Sequence, residues 1–132
     1  MHAEDLQLVL DRMEGALVAE GAGGLAVPLN RTQTFADVAA LAKLQVVLAV
    51  GLRLGCINHA LLTAELLQSR QVPLAGAVLV DRWEDSGAEY HADVARAISQ
   101  RMNILGTLPY DADEARAVQA GVAIFKSLLQ TQ

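Results

Sequence analysis

Residues 46–70 change hydrophobic period partway along, and that change restricts the chain more than any other feature. Residues 46–50 form an unbroken apolar run rich in β-branched side chains, the pattern of a strand covered on both faces. Ile57, Ala60, Leu61, Ala64 and Leu67 then recur at helical spacing. The link between them is Gly51-Leu-Arg-Leu-Gly-Cys-Ile-Asn58. A glycine-bearing turn from strand into helix leaves backbone N–H groups free at the carboxyl edge of a sheet, where the helix dipole also favours negative charge. An anionic ligand group suits that place.

The remaining segments alternate in the same way. Residues 4–14 read as an amphipathic helix with Leu6, Val9, Leu10 and Met13 on one face, ended by Gly15. Residues 16–19 read as a short buried strand, followed by the loop Glu20-Gly-Ala-Gly-Gly24, and residues 25–29 as extended chain. Residues 32–34 offer an N-cap to a helix over 35–43, with Asp37 in its first turn. The helix after the central turn runs to Arg70, and Pro73 stops it. A strand over 74–80, a polar connection over 81–87, a helix over 89–102 and a strand over 104–108 follow. On the 89–102 helix, Tyr90, Val94, Ala97, Ile98 and Met102 are read as inward or nearly so. Pro109 closes the last strand, and residues 112–129 form a terminal helix. Strands alternating with helices predict an α/β fold, a parallel sheet with right-handed crossovers flanked by helices. Residues 1–132 are expected to form one domain.

Composition narrows the class of function. The chain has 132 residues, 53% of them hydrophobic, enough for a sizeable core. The ten Lys and Arg form no cluster and the net charge is −5, which argues against a nucleic-acid surface. No run of about 18 or more apolar residues is present, so no membrane span is expected. The N-terminus, Met-His-Ala-Glu-Asp, lacks the basic-then-apolar pattern of a secretion signal. One cysteine, Cys56, permits no internal disulfide and fits a reducing cytoplasm.

Glu20 is the foremost candidate site residue. It follows an apolar segment and precedes three glycines in four residues. A carboxylate at the carboxyl end of a strand can hold Mg2+ beside a phosphate chain, and the glycines permit close approach of a ligand. An exposed acid before a turn is the plainer reading. Cys56, at a helix start, has the placement of an activated thiol, but no local base accompanies it, and packing in a tight turn is favoured. Asn58 can donate its amide to an anion or merely cap the helix. Tyr90 reads from its surroundings as a packing tyrosine. His59 and His91 have no third ligand at metal-site spacing, and His59, early on an apolar helix, reads as structural. Trp83 stands alone among polar residues, as an exposed contact or as a cover for the sheet edge.

The string Val-Gly-Leu-Arg-Leu-Gly-Cys-Ile-Asn-His-Ala-Leu-Leu-Thr-Ala at 50–64 resembles the central segment of dethiobiotin synthetases, ATP-dependent enzymes of biotin synthesis. Further pieces fit in the same order: Val-Ala-Glu-Gly-Ala-Gly-Gly at 18–24, Pro28-Leu through Thr34-Phe-Ala-Asp37, and Pro73-Leu-Ala-Gly76. The resemblance covers nearly the whole chain but only the C-terminal part of the family. It implies an incomplete P-loop NTPase-like fold, Rossmann-like and three-layered. It implies that Glu20 is the metal-binding glutamate for Mg2+, and that Glu20, Gly21, Ala22 and Gly23 meet the nucleotide. Pro109, Tyr110 and Asp111 would line the adenine. Gly55, Cys56, Ile57 and Asn58 would grip the tail carboxylate of 7,8-diaminopelargonate across a homodimer interface, with Tyr90 donating its hydroxyl to the same carboxylate. The implied reaction joins CO2 to the diamine, phosphorylates the carbamate with ATP, and closes a ureido ring with loss of phosphate.

The departures are equally specific. There is no Gly-x-x-x-x-Gly-Lys-[Ser/Thr] loop, and the only lysines, Lys43 and Lys126, follow no glycine. Where the family carries Asn before Asp to read adenine, this chain has Val80 before Asp81, and valine makes no base-edge hydrogen bond. No residue is singled out as catalytic. The enzymatic expectation is therefore a C-terminal half that needs a P-loop part from elsewhere, as a homodimer or with a separate N-terminal subunit. The initiating Met1 and an entire first helix fit a natural start. The alternatives are a non-catalytic binding or assembly subunit, a pseudoenzyme that has lost ATP chemistry, and an expressed fragment of an enzyme.

Overall fold

Three of the four apolar runs become strands of one open sheet. The computed structural model describes residues 1–81, 87–111 and 113–129. Its elements are α1 (Ala3–Leu10), α2 (Phe35–Leu41), β1 (Val46–Gly51), α3 (Cys56–Ser69), β2 (Leu74–Val80), α4 (Ala88–Ser99), β3 (Ile104–Leu108) and α5 (Glu114–Leu129). The strand order is β1-β2-β3. The Val46 N–H bonds to the Pro73 carbonyl and the Leu52 N–H to the Val80 carbonyl, so β1 and β2 advance together. β2 and β3 are also parallel, with Val78 opposite Gly106 and Val80 opposite Leu108. The expected α/β class with a parallel sheet is the one observed.

The register between β2 and β3 slips between Ala77 and Val78. Just before the slip, Gly76 has φ +154°, and a Cβ there would lie 2.7 Å from the Asn103 carbonyl oxygen. Only glycine lets the start of β3 come this close.

The chain divides into two units, Met1–Val46 with Leu62–Leu74, and Val47–Leu61 with Ala75–Gln132. In the first unit, Ala39, Leu67 and Val72 form a buried cluster joined by Leu25, Leu44, Val46 and Leu74. Two helix ends feed it by the same device. Lys43 and Gln71 adopt positive φ, 52° and 55°. The following N–H groups then turn back, Leu44 to the Ala39 carbonyl and Val72 to the Leu67 carbonyl. These are the six-to-one bonds of a Schellman ending, and its usual apolar contact puts Leu44 and Val72 on the cluster.

α1 and α2 contact each other within this unit. Asn30 and Gln33 secure them: Gln33 Oε1 accepts the Ala3 N–H at 3.1 Å, and Gln33 Nε2 donates to both Glu4 carboxylate oxygens at 3.0 Å. Asn30 Nδ2 donates to Gln33 Oε1 at 2.7 Å. That bond from Gln33 holds the Glu4 carboxyl below its usual range. Thr34 is the N-cap of α2, as its sequence suggested; its N–H and hydroxyl both donate to Asp37 Oδ2. Arg70 adds an ion pair to the other Asp37 oxygen.

In the second unit, β2 is the most buried strand, with Ala77, Val78 and Leu79 covered. α4 and α5 both contact β3. α5 comes nearest at Gly106, where a Cβ would meet Ile124 Cγ1 at 2.8 Å. The covered face of α4 carries Val94 and Ile98, both 0% exposed.

The structure corrects several local expectations. Residues 16–19 form no strand, and all four are exposed, Val18 at 94%. An apolar quartet becomes a strand only when a neighbour takes its N–H and C=O groups, and β1, β2 and β3 are the only strands among the described residues. α1 ends at Leu10, so Met13 is exposed, and Val9 is exposed too. Within residues 25–29, expected to be extended, only Pro28 forms a bridge, to Thr34. Tyr90, expected inward, is 37% exposed; its neighbour His91 turns inward instead. Trp83 lies outside the described residues.

Asp37 gives a pH-dependent test. Hydrogen bonds from the Thr34 N–H and hydroxyl, with the Arg70 charge, depress its carboxyl below the usual aspartate value against the opposing effect of burial. A depressed folded-state value contributes stability above the ordinary aspartate pKa, lost as pH falls through the depressed one. Asp37→Ala should cost about 1–2 kcal/mol near neutrality. In urea titrations, the wild-type and variant curves should converge in strong acid.

Candidate functional site

Because the three strands are parallel, their carboxyl ends share one edge of the sheet. β1 leaves that edge through Leu52, Arg53, Leu54 and Gly55 into α3. Leu52 is 1% exposed and anchors the turn, while Leu54 stands out at 96%. Gly55 has φ +88°, a left-handed conformation that lets the chain reverse straight into the helix.

The start of α3 has a specific donor pattern. Gly55 supplies the first helical acceptor, bonding to the His59 N–H at 3.1 Å, and the Cys56 N–H is taken by the Arg53 carbonyl at 3.0 Å. The N–H groups of Ile57 and Asn58 are the next two at the helix start, and they have no backbone partner among the described residues. Asn58 is exposed at the third helical position, too far into the helix to be its cap.

Cys56 and Tyr90, 34 residues apart in sequence, meet here: Cys56 Sγ lies 3.6 Å from Tyr90 Oη. Cys56 is buried at 4% exposure, as packing in a tight turn requires, and Tyr90 lies over it with its ring half-exposed. The hydrogen bond to Cys56, with partial burial, holds the Tyr90 phenol above the usual tyrosine value. Tyr90 is therefore a neutral hydroxyl, and either it or the Cys56 thiol can be the donor in their contact. A neutral donor beside unpaired helix N–H groups can receive a carboxylate or another small anion.

A second polar pair, not anticipated from sequence, lies next to it. Asp81 follows β2 directly, and its N–H is fixed by the Leu108 carbonyl at 2.9 Å. His91 Nε2 is 3.7 Å from Asp81 Oδ2. The Tyr90 and His91 rings meet edge-on with centroids 6.4 Å apart. The spacing of 91, 94 and 98 in α4 was the available signal, since it puts His91 on the stripe of Val94 and Ile98.

The other candidates lie apart in character. Glu20 belongs to the first unit and is exposed. A Cβ on Gly21 would touch the Phe35 ring at 3.4 Å, so the glycine loop runs close over that side chain. No three His, Cys, Asp or Glu side chains converge as a metal site among the described residues. Glu20 as a single carboxylate suits Mg2+, which takes one or two carboxylates beside phosphate oxygens. Tyr110 is exposed in the loop after β3. Asp111 is engaged structurally, accepting the Asp113 N–H at 2.8 Å and Arg116 Nη2 at 3.0 Å. Val80 ends β2 and gives its carbonyl to Leu52. No described helix is long and apolar enough to cross a membrane.

A family model described as an AAA domain matches residues 3–117. The chain is 43% identical over 106 residues to the ATP-dependent dethiobiotin synthetase BioD of Nitrosospira multiformis, covering 79% of this chain and 46% of that protein. It is 36% identical over 129 residues to the protein of the same name in a Janthinobacterium species, with 96% and 54% covered. Against ATP-dependent dethiobiotin synthetase BioD 1 of Escherichia coli it is 38% identical over 122 residues, with 91% and 53% covered. The chain spans about half the length of the curated relatives it matches.

The Cys56–Tyr90 contact can be read directly. Cys56→Ala should lower the Tyr90 phenol part of the way towards the ordinary tyrosine value, the burial contribution remaining. Ultraviolet titration of the phenolate in a Tyr110→Phe background, which leaves Tyr90 as the only tyrosine, measures it. An unchanged titration would mean that the thiol contributes nothing.

Proposed function

The chain belongs to the AAA domain family and is dethiobiotin synthetase-like, and from that premise we propose that it carries the substrate-tail site of an ATP-dependent ligase in biotin synthesis. The reaction is ureido ring closure on 7,8-diaminopelargonate with CO2, in a reducing cytoplasm. The observation that carries this reading is the Tyr90 hydroxyl at the start of α3, 3.6 Å from Cys56 Sγ. It supports a role for Gly55, Cys56, Ile57, Asn58 and Tyr90 in holding the substrate's tail carboxylate. Two main-chain donors, a helix dipole and a neutral phenol fit that anion.

In this reading Glu20 helps to hold Mg2+ when nucleotide is present, Gly21, Ala22 and Gly23 run beside the phosphates, and Pro109, Tyr110 and Asp111 lie along the adenine. The bound metal would spread the charge of the transferring phosphoryl group. These 132 residues contain no phosphate-gripping loop, so in this reading it comes from outside them, as on a separate P-loop-bearing subunit; a homodimer would add the family's dimer face and not the loop.

Val80 favours a second reading. It stands where adenine would be read and offers no hydrogen bond, which suits a binding or assembly subunit without ATP chemistry. The two readings share the anion site and differ in turnover.

Tyr90→Phe should weaken binding of 7,8-diaminopelargonate by about 1.5–3 kcal/mol, the loss of one charge-assisted hydrogen bond. Isothermal titration measures it, and unchanged affinity would remove Tyr90 from the site. The pure chain should hydrolyse no ATP by itself. ATPase activity that follows the chain through purification and disappears in Glu20→Gln would overturn that expectation.

A further inference from the structure

Nothing within α4 itself fixes Tyr90 over the Cys56 turn. The cap of α4 is Gly87, which has no side chain to bond the first turn, and its first backbone bond, from the His91 N–H to the Gly87 carbonyl, is long at 3.3 Å. Tyr90 is half-exposed, and its described side-chain contacts are Cys56 and the edge of His91. The rotation of a helix about its axis is set by the stripe it buries. In α4 that stripe is His91, Val94 and Ile98.

His91 is the polar member of the stripe and is incompletely paired. Its Nε2 is fully covered and has no hydrogen-bond partner among the described residues. Among the described residues, its charged neighbour is Asp81 Oδ2 at 3.7 Å, and Asp81 is itself tied by its N–H to the end of β3. A covered ring nitrogen is costly when unpaired. An Nε2–H, in the neutral tautomer or in the imidazolium, is the donor that faces this carboxylate.

We propose that His91 is a positioning residue: by lodging Nε2 against Asp81 at the end of β2, it fixes the rotation of the first turn of α4 and so holds the Tyr90 hydroxyl over Cys56. Tyr90 follows from this about a quarter-turn away on the helix. Asp81 supplies the fixed point because β2 and β3 hold its backbone. The consequence for an anionic ligand rests on the tail-carboxylate reading above; the placement of Tyr90 does not.

Cys56 is the only cysteine, so its reaction with Ellman's reagent reports how well Tyr90 covers it. Tyr90→Ala sets the uncovered rate. His91→Ala and Asp81→Ala should each raise the wild-type rate at least about fivefold, by freeing a turn that is otherwise held closed. His91→Gln, whose amide Nε2–H can still reach Asp81, should restore a slow rate. In a Tyr90→Ala background, His91→Ala should add nothing. A wild-type rate in His91→Ala overturns the proposal. So does a fast rate in His91→Gln, which would make His91 mere filling. Should His91→Ala lose its helical circular dichroism, Asp81→Ala decides alone, and a wild-type rate there is equally fatal. No ligand enters these measurements. Failure of Tyr90→Phe to affect diaminopelargonate binding would leave them standing, and failure here would leave the anion site untouched.

Discussion

Parallel pairing of β2 between β1 and β3 is the constraint on which the second unit rests. A parallel strand cannot return to its neighbour through a tight turn; the chain must cross back over the sheet, and helices are the economical way to do so. α3 follows β1 and α4 follows β2 for this reason. The same constraint brings every strand's carboxyl end to one edge. Leu52 to Gly55, Asp81 and Pro109 all leave from that edge, so residues far apart in sequence become neighbours without any local signal joining them. Gly76 is the cost of the arrangement, since no other residue admits the Asn103 carbonyl so closely.

The first unit is held by different forces. α1 and α2 have only 8 and 7 residues, lengths at which an isolated helix is marginal in water. Their ends carry them. Gln33 and Asn30 fasten the start of α1, Thr34 and Asp37 close the start of α2, and Lys43 and Gln71 turn two helix ends back so that Leu44 and Val72 meet the cluster. The polar interactions are partly exposed and individually modest. They act where backbone groups would otherwise lack partners, which is where modest bonds decide whether a short helix persists.

Binding and chemistry separate along the same lines. The start of α3 offers main-chain donors and a neutral phenol, a combination that recognises an anion and does nothing to a phosphoryl group. Catalysis of phosphoryl transfer depends on gathering positive charge around the transferring group. The sequence has no P-loop lysine to form such a cradle, and among the described residues Arg70 and Arg116 are committed to Asp37 and to Asp111 and Asp113. In the proposed reading, the ligase activity draws its phosphate grip from outside these residues and holds the substrate's tail from within them.

The parallel α/β class and the alternation from residue 35 onward were legible in the sequence. The strands over 74–80 and 104–108 fall where they were expected; β2 is covered on both faces, as its continuous apolar run implies, whereas β3 is only partly covered. Thr34 and Asp37 were legible as a helix start because capping is local chemistry. The central turn was legible too, since two glycines and a change of period sit within a few residues. Tertiary structure decided the rest. Residues 16–19 have the composition of a strand, but a strand exists only through a partner, and composition does not supply one. Tyr90 and His91 are adjacent in sequence and differ by about 100° around α4. His91 shares the stripe of Val94 and Ile98, and the packing of that stripe, a contact between elements, left Tyr90 half-exposed beside Cys56.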